Sequence, residues 1–423
     1  MKPIKNPNVD EIYQEYIKEA IEAATNETTR TALSRAVDSY RKNTASAFAK
    51  FPHTQQLAEE VRKIKEYSID HMEELVAKAR ESIESHKGKT YIAKTPKDAY
   101  DIISSIVGQP KKIIVKAKSL TGEEIEIRQY LQKLGHEVYE TDLGEFLIQL
   151  RNQRPMHLVS PSIDMTKEAA SETLSRFLGK DIPPDIGEEV RAVKEFLRQK
   201  YFEAHVGMSG ANVVSADTGT MFIIENEGNA RLSVGLQPVQ IALVGMEKVV
   251  PTLQDAFKTA EVTWRYANYD IPSYVNMISG PSKTGDIEKH TTYGAHGPRE
   301  LHVIFLDNGR SDVAKNPDFK ELLYCLRCGA CMYECPPFQV MAGHFGRQYV
   351  GGIGTLWDAF VARDIVEAAP GAYTCTMCAR CVNRCPVSIN TPTMIQKLRR
   401  MLVEKGYLTG PAENFLHMVR PEE

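Results

Sequence analysis

Residues 325–336 read CLRCGACMYECP and residues 375–386 read CTMCARCVNRCP, two copies of one pattern, C-x2-C-x2-C-x3-C-P. Together they contain all 8 cysteines of the 423-residue chain: Cys325, Cys328, Cys331 and Cys335, then Cys375, Cys378, Cys381 and Cys385. Two residues between cysteines let a short loop wrap three corners of an iron–sulfur cube, and the proline after the fourth cysteine turns the chain away. Zinc closes with four ligands, usually from two distant pairs, and would leave the third cysteine of each run idle. Disulfides fit worse, since cysteine is absent before Cys325 and nothing marks the chain for export. The pattern therefore predicts two [4Fe-4S] clusters. In runs of this kind the fourth thiolate crosses to the other cube. That rule assigns Cys325, Cys328, Cys331 and Cys385 to one cluster and Cys375, Cys378, Cys381 and Cys335 to the second.

Between the runs lie 39 residues, 336–374, and Thr355 to Ala368 within them is compatible with helix. The long spacer resembles the helical ferredoxin domains of the succinate dehydrogenase and heterodisulfide reductase families, which pass electrons between partners inside larger complexes. Electron relay is the first functional expectation.

The chain is long enough for two or three domains, and its 42% hydrophobic and 25% charged residues are those of a globular protein with a real core. The formal charge is −3, and 8 thiolates around two cubes of core charge +2 bring the loaded chain to about −7. No basic excess points to nucleic acid. MKPIKNPNVDEIYQEYIKEA at the start lacks the apolar segment of a signal peptide, and no run approaches a transmembrane span. The expectation is a cytoplasmic protein, and peripheral attachment to a membrane complex is compatible with it.

Residues 10–86 read as helical, with apolar positions at Leu57, Val61 and Ile64, then Leu75, Ala79 and Ile83. From about residue 90 the texture alternates: strand Thr90–Ala93, helix Pro96–Val107, strand Lys112–Lys116, helix Glu123–Gly135, strand Glu137–Glu140. Further β-like runs follow at His157–Val159, Met221–Glu225, Ile241–Gly245 and Leu301–Asp307. Such alternation predicts an α/β domain with a largely parallel sheet. The resulting division is a helical region 1–87, an α/β domain 88–308 and a helical two-cluster domain 309–423. The run ending at Glu225 meets a polar cluster at a strand's carboxyl end, the edge where open α/β sheets bind ligands.

The segments ETDLGEFLIQL (140–150), PMHLVSP (155–161), GMSGANVVSADTGT (207–220), NEGNAR (226–231), LVGMEKVVPTL (243–253) and LDNGRS (306–311) resemble the lactate-utilisation iron–sulfur protein B family, as do CLRCGACMYECP and GHFGRQYVGGIGT (343–355). Cys335-Pro336-Pro337-Phe338 and Asp164 depart from the family pattern. The resemblance implies a lactate-utilisation (LUD) domain, similar in fold to the sugar-phosphate isomerase and CoA-transferase group, fused to a helical two-cluster domain. It further implies an electron-transfer subunit of a complex oxidising L-lactate to pyruvate. Its expected partners are a cysteine-rich, heterodisulfide-reductase-like subunit and a second, small LUD-domain subunit. A flavin held by a partner flavoprotein, or another electron acceptor, is compatible with that scheme. The alternative is a relay subunit of a heterodisulfide-reductase-like complex, or of one oxidising another 2-hydroxy acid.

In the α/β part the catalytic candidates are Asp217, Glu225, Glu227, Asn229 and Arg231, polar groups beside glycines that bring backbone close to a ligand. The competing reading makes Asp217–Thr220 and Glu227–Asn229 turns that bond their own backbone. Lys116 and Lys118 at a strand end could hold a carboxylate or phosphate, or be solvated. His157 and His205 read as structural, whereas His344 between the cysteine runs is a candidate for tuning a cluster. Arg327, Arg380 and Arg384 read as offsets for anionic clusters. Gly351-Gly352-Ile353-Gly354 lacks the ending of a phosphate loop and reads as a tight turn near a cluster. No nucleophile motif marks the α/β part as an enzyme acting on a CoA ester or sugar phosphate.

Overall fold

The computed structural model describes residues 7–407. Residues 1–6 and 408–423, which the sequence division places in its first and last units, lie outside the described residues.

Four helices open the fold: Pro7–Thr25, Glu27–Lys50, Thr54–Asp70 and Met72–Ser85. Asn26 starts the second by accepting a hydrogen bond from the Thr29 amide, one of the donors a helix leaves unpaired. The helical periodicity is buried as the sequence predicts, with Val61, Leu75, Ala79 and Ile83 all in the core.

Six parallel strands form the main sheet, in the order Lys89–Ala93, Glu300–Leu306, Val239–Gly245, Val206–Ser209, Ile113–Lys116 and Glu137–Glu140. Strand alternation sorts the side chains between two faces. Ile241 and Leu243 pack with Ile304 beneath helix Pro96–Val107, while Ala242 and Val244 face the opposite way with Val303 and Phe305. That helix begins as its sequence dictates: Thr95 and Asp98 form a reciprocal capping box, and Pro96 occupies the first turn. The face carrying Ala242 and Phe305 shares one continuous core with the N-terminal helices and with Leu322, Phe338, Trp357 and Leu398 of the cysteine-rich region.

Four sequence expectations change. Met221–Glu225 lies outside the parallel sheet, in a second sheet ordered Val249–Val250, Val213–Ser215, Met221–Glu225, Tyr274–Ile278, where it pairs antiparallel on both sides. The helix expected over 123–135 is two short ones, Leu120–Glu124 and Ile127–Lys133, broken at Glu126 with φ 52°. Ser119 caps the first by accepting from the Gly122 amide, and the break leaves Glu124 buried on Arg310. His157–Val159 is an irregular loop, because the His157 ring takes the amides that a ladder would use: Nδ1 accepts from Val159 and Ser160 at 3.0 and 3.1 Å. The glycine run opens helix Gly351–Trp357 rather than making a turn. That helix loosens into a π-helical turn at Asp358–Ala362 before a new helix, Ile365–Thr374, begins on the Asp364 cap.

Candidate metal centre

The two cysteine runs fold alike. Two residues after the leading cysteine, Arg327 and Met377 are left-handed at φ 59° and 51°; four after it, so are Gly329 and Ala379 at 78° and 63°. These turns coil the backbone around a point and aim amides inward. The Arg327 amide lies 3.4 Å from Cys325 Sγ, and the amides of Ala330 and Arg380 bond the sulfurs of Cys328 and Cys378. Short helices, Ala330–Tyr333 and Arg380–Arg384, then carry the third cysteine of each run.

Two voids result. One is lined by Cys325, Cys328, Cys331, Cys381 and Cys385, the other by Cys331, Cys335, Cys375, Cys378 and Cys381. Cys385 of the second run therefore faces the first run's void, and Cys335 the second's. Burial pushes the thiols of Cys328, Cys335 and Cys385 up to about 12, and Cys331 well above its ordinary value. Thiols this reluctant to ionise need a cationic centre to hold them as thiolates. No three His, Cys, Asp or Glu side chains among the described residues gather tightly enough for a single ion. The donor set instead suits a cube, since several cysteines face each void and no single ion would use them all. The two sites differ in exposure: Cys328 is buried and Cys378 is exposed.

Against the first site lies a cavity of about 450 Å³. Its walls are loops from the carboxyl ends of parallel strands: Lys118–Thr121 after Ile113–Lys116, Asp142–Gly144 after Glu137–Glu140, Gly210–Asn212 after Val206–Ser209, and Lys248 after Val239–Gly245. This is the ligand edge expected of the fold. Leu326, Arg327 and Cys328 close the other side, so the cavity opens directly onto the first cysteine loop.

Glu225, Glu227 and Asn229 all line this cavity. Glu225 is committed to structure, accepting from the amides of Ala230 and Arg231 at 2.7 and 2.9 Å and from Asn276 at 2.7 Å. Glu227 accepts from the Leu143 amide at 3.2 Å, and desolvation with Asp142 nearby pushes its carboxyl up to about 7. Arg231 instead stacks over Tyr274 at 4.4 Å, outside the lining. Asp217 sits exposed on a turn, hydrogen-bonded to Ser215, so it stands apart from the cavity.

The lysines divide likewise. Lys116 is neither solvated nor free for a ligand: its ammonium is buried between Glu123 and Glu140 at 2.7 and 2.8 Å. Lys118 reaches the cavity while donating to the Val159 carbonyl at 2.7 Å. His157 is fully buried and wedged beneath Gly329, where desolvation lowers its ring to about 3. His205 borders a strand, 3.5 Å from the Ile113 amide. His344 lies by Glu19 at 3.8 Å and lines neither cysteine void, so its tuning role loses its geometry. Arg384 donates to the Tyr40 hydroxyl at 3.0 Å, and Arg380 is exposed.

Arg327, which lines the first cysteine void, extends its guanidinium into a buried ion network that sequence reasoning missed. It donates to Glu247 at 2.9 Å and stacks on Trp357 at 4.3 Å. Arg310 grips Glu124 with both Nη atoms at 2.9 and 2.7 Å and reaches Glu247 through Nε. Burial would raise Glu247, yet Arg310, Arg327, Lys248 and Lys65 hold its carboxyl far below the usual range. Lys65, from the N-terminal helices, donates to the Glu247 carbonyl. The one signal in the sequence was a charged pair, Glu247-Lys248, embedded in the apolar run from Ile241 to Val250.

A LUD domain matches residues 76–306 and a 4Fe-4S dicluster domain residues 321–389. Lactate utilization protein B of Bacillus pumilus (strain SAFR-032) is 32% identical over 392 residues, covering 91% of this chain and 80% of its own. The chain belongs to the lactate utilization protein B family. A second member, from Geobacillus thermodenitrificans (strain NG80-2), is 33% identical, covering 82% of this chain and 71% of its own. The electron transport protein YkgF of Escherichia coli (strain K12), described as uncharacterized, is 30% identical over 97% of this chain and 84% of its own. A solved structure, a DUF162 family protein from Deinococcus radiodurans, is 12% identical and overlaps 56% of this chain and 98% of its own at a TM-score of 0.31. The family carries an iron–sulfur electron-transfer role on a LUD domain joined to a 4Fe-4S dicluster domain. No helix among the described residues is long and apolar enough to cross a membrane.

Proposed function

We propose that the protein is the iron–sulfur electron-transfer subunit of a multi-subunit complex that oxidises L-lactate to pyruvate. On this reading it is organised as the helical region 1–87, the LUD domain 88–308 and the two-cluster domain 309–423. One [4Fe-4S] cluster is held by Cys325, Cys328, Cys331 and Cys385, the other by Cys375, Cys378, Cys381 and Cys335. Each cluster would supply one-electron transfer. The chain's residues hold the cubes, exclude water from the first and leave the second near the surface.

The observation that carries this reading is the 450 Å³ cavity opening onto the Cys328 loop. A ligand bound there would lie beside the buried cysteine loop, and the exposure of Cys378 supports a second site open to a partner. The partners proposed are a cysteine-rich, heterodisulfide-reductase-like subunit and a smaller LUD-domain subunit. A two-electron substrate feeding one-electron clusters also leaves a place for a partner flavoprotein. The setting proposed is the cytoplasm, with attachment to a membrane complex through those partners.

Anaerobic purification with native partners, iron counting and a substrate screen form the test. L-lactate should reduce an added acceptor through the loaded complex. A complex with both clusters intact that fails to do so, or that uses a different 2-hydroxy acid, overturns the substrate. Co-purification of a thiol–disulfide subunit or a flavoprotein in place of the lactate partners favours the alternative complex.

A further inference from the structure

The buried charges beside the first cysteine run do not balance. Four cations, Lys65, Lys248, Arg310 and Arg327, face two carboxylates, Glu124 and Glu247, and all six residues are buried. The arginines account for both acids: Arg310 meets Glu124 at 2.7 Å and Arg327 meets Glu247 at 2.9 Å. Lys65 donates only to a neutral acceptor, the Glu247 carbonyl. Lys248 is 7% exposed and has no hydrogen-bond or ion-pair partner among the described residues. With both lysines protonated, two positive charges are buried in excess; burial pushes Lys65 down to about 8 and Lys248 to about 7, so an anion is needed to keep both charged.

After Glu247, the next acidic group acting on both lysines is the Cys325 thiol. A cube of core charge +2 on four thiolates carries a net charge of about −2, equal and opposite to the surplus. Adding one electron takes it to about −3, and a fixed buried cation favours that step through a medium that screens poorly. The cations at the second site are less buried: Arg380, which acts on Cys378, is exposed, and Arg399, which acts on Cys375, is half-buried.

We propose that Lys65 and Lys248 are the counter-charges of the cluster at Cys325, Cys328, Cys331 and Cys385 and hold its reduction potential up relative to the same site without them. They act through the cluster and do not ligate it, so they are positioning residues. The inference rests on the reading that cubes fill the two cysteine voids.

The test uses anaerobically isolated full-length protein and the variants Lys248→Met, Lys65→Met and Lys248→Arg. Iron and sulfide are counted first; then the reduced-cluster signals are followed by electron paramagnetic resonance against poised potential. Each methionine variant should move one of the two midpoints to lower potential and leave the other in place, and Lys248→Arg should restore it. Methionine replaces an uncompensated buried charge with an apolar chain of similar length, so folding is not the expected casualty. If one methionine variant nonetheless fails to load, the other supplies the same readout. Two loaded clusters with unmoved midpoints, or with both shifted equally, overturn the inference and leave the cluster reading intact. Wild-type protein that binds fewer than two cubes overturns the cluster reading itself.

Discussion

Arg310→Met should cost more than any single substitution at the surface, and its cost should depend on pH. Arg310, Glu124 and Glu247 have side chains that are 0% exposed. Removing the guanidinium leaves Glu247 with Arg327 at 2.9 Å. Glu124 keeps two neutral donors, Tyr349 and Asn308, both at 2.9 Å, but its nearest cation becomes Arg327 at 3.9 Å. One carboxylate is thereby stranded, and breaking a buried pair in this way costs ~3–5 kcal/mol. Protonating the stranded group caps the loss. From an ordinary glutamate pKa of ~4.3, neutralisation costs about 5 kcal/mol at pH 8 and about 2.3 kcal/mol at pH 6. The sign follows: the variant's folded state holds a proton that its unfolded state releases, so its deficit grows as pH rises above the unfolded pKa. Urea midpoints from helical circular dichroism, taken anaerobically on loaded proteins at pH 8 and pH 6, measure it. Glu124→Gln in the Arg310→Met background should recover part of the loss at pH 8 and little at pH 6. A deficit below about 1 kcal/mol at pH 8, or one equal at the two pH values, refutes the argument.

Cys335→Ser should damage the cluster of the second run rather than the first, and an electron paramagnetic resonance spectrum that loses the more buried cluster contradicts the crossed assignment. Gly329→Ala adds a Cβ 2.9 Å from the His157 ring at φ 78°, so iron content should fall along with a left-handed penalty of about 1–2 kcal/mol; full iron loading would show that the loop yields. His157, lowered to about 3 by burial, binds its proton only in the unfolded chain between pH 6.5 and that value. Stability should therefore fall as pH drops through this window, by at most about 1.4 kcal/mol per pH unit, and His157→Gln should flatten the slope. Asp217→Ala should leave turnover of the loaded complex within about twofold, because its carboxylate serves a turn; a tenfold loss returns Asp217 to the site.

The cysteine runs were legible because their ligands are local in sequence: spacing alone brings three sulfurs to one point, and proline marks the exit. Helix Pro96–Val107 was legible for a similar reason, its cap and its apolar stripe lying within one segment. Strand Met221–Glu225 was recognised as a strand but not placed, since an apolar run carries no record of which sheet it joins. The site around Glu124, Glu247, Lys248, Arg310 and Lys65 left almost no trace, because its members converge from four distant segments. Each alone is an ordinary charged residue. Lys116 illustrates the same limit: at a strand end it reads as solvated, and only the fold supplies Glu140 from the neighbouring strand.

That convergence explains why a LUD domain and a cluster module make sense on one chain. Tyr40, from the second N-terminal helix, stacks on Tyr333 of the first cysteine run at 4.1 Å, accepts from Arg384 of the second, and donates to the Tyr266 carbonyl of the α/β part at 3.0 Å. Lys65 does the same for charge, reaching from the third helix to the carbonyl of Glu247, whose carboxylate holds Arg327 of the first cysteine run. Electron tunnelling falls steeply with distance, so on the function proposed above the cavity gains from walls that cannot drift relative to the cysteine loop. A flexible tether between two separate cores would let that distance wander. Here the shared core and the buried ion network fix it, and the N-terminal helices, which carry none of the cysteines, are the part that joins the rest.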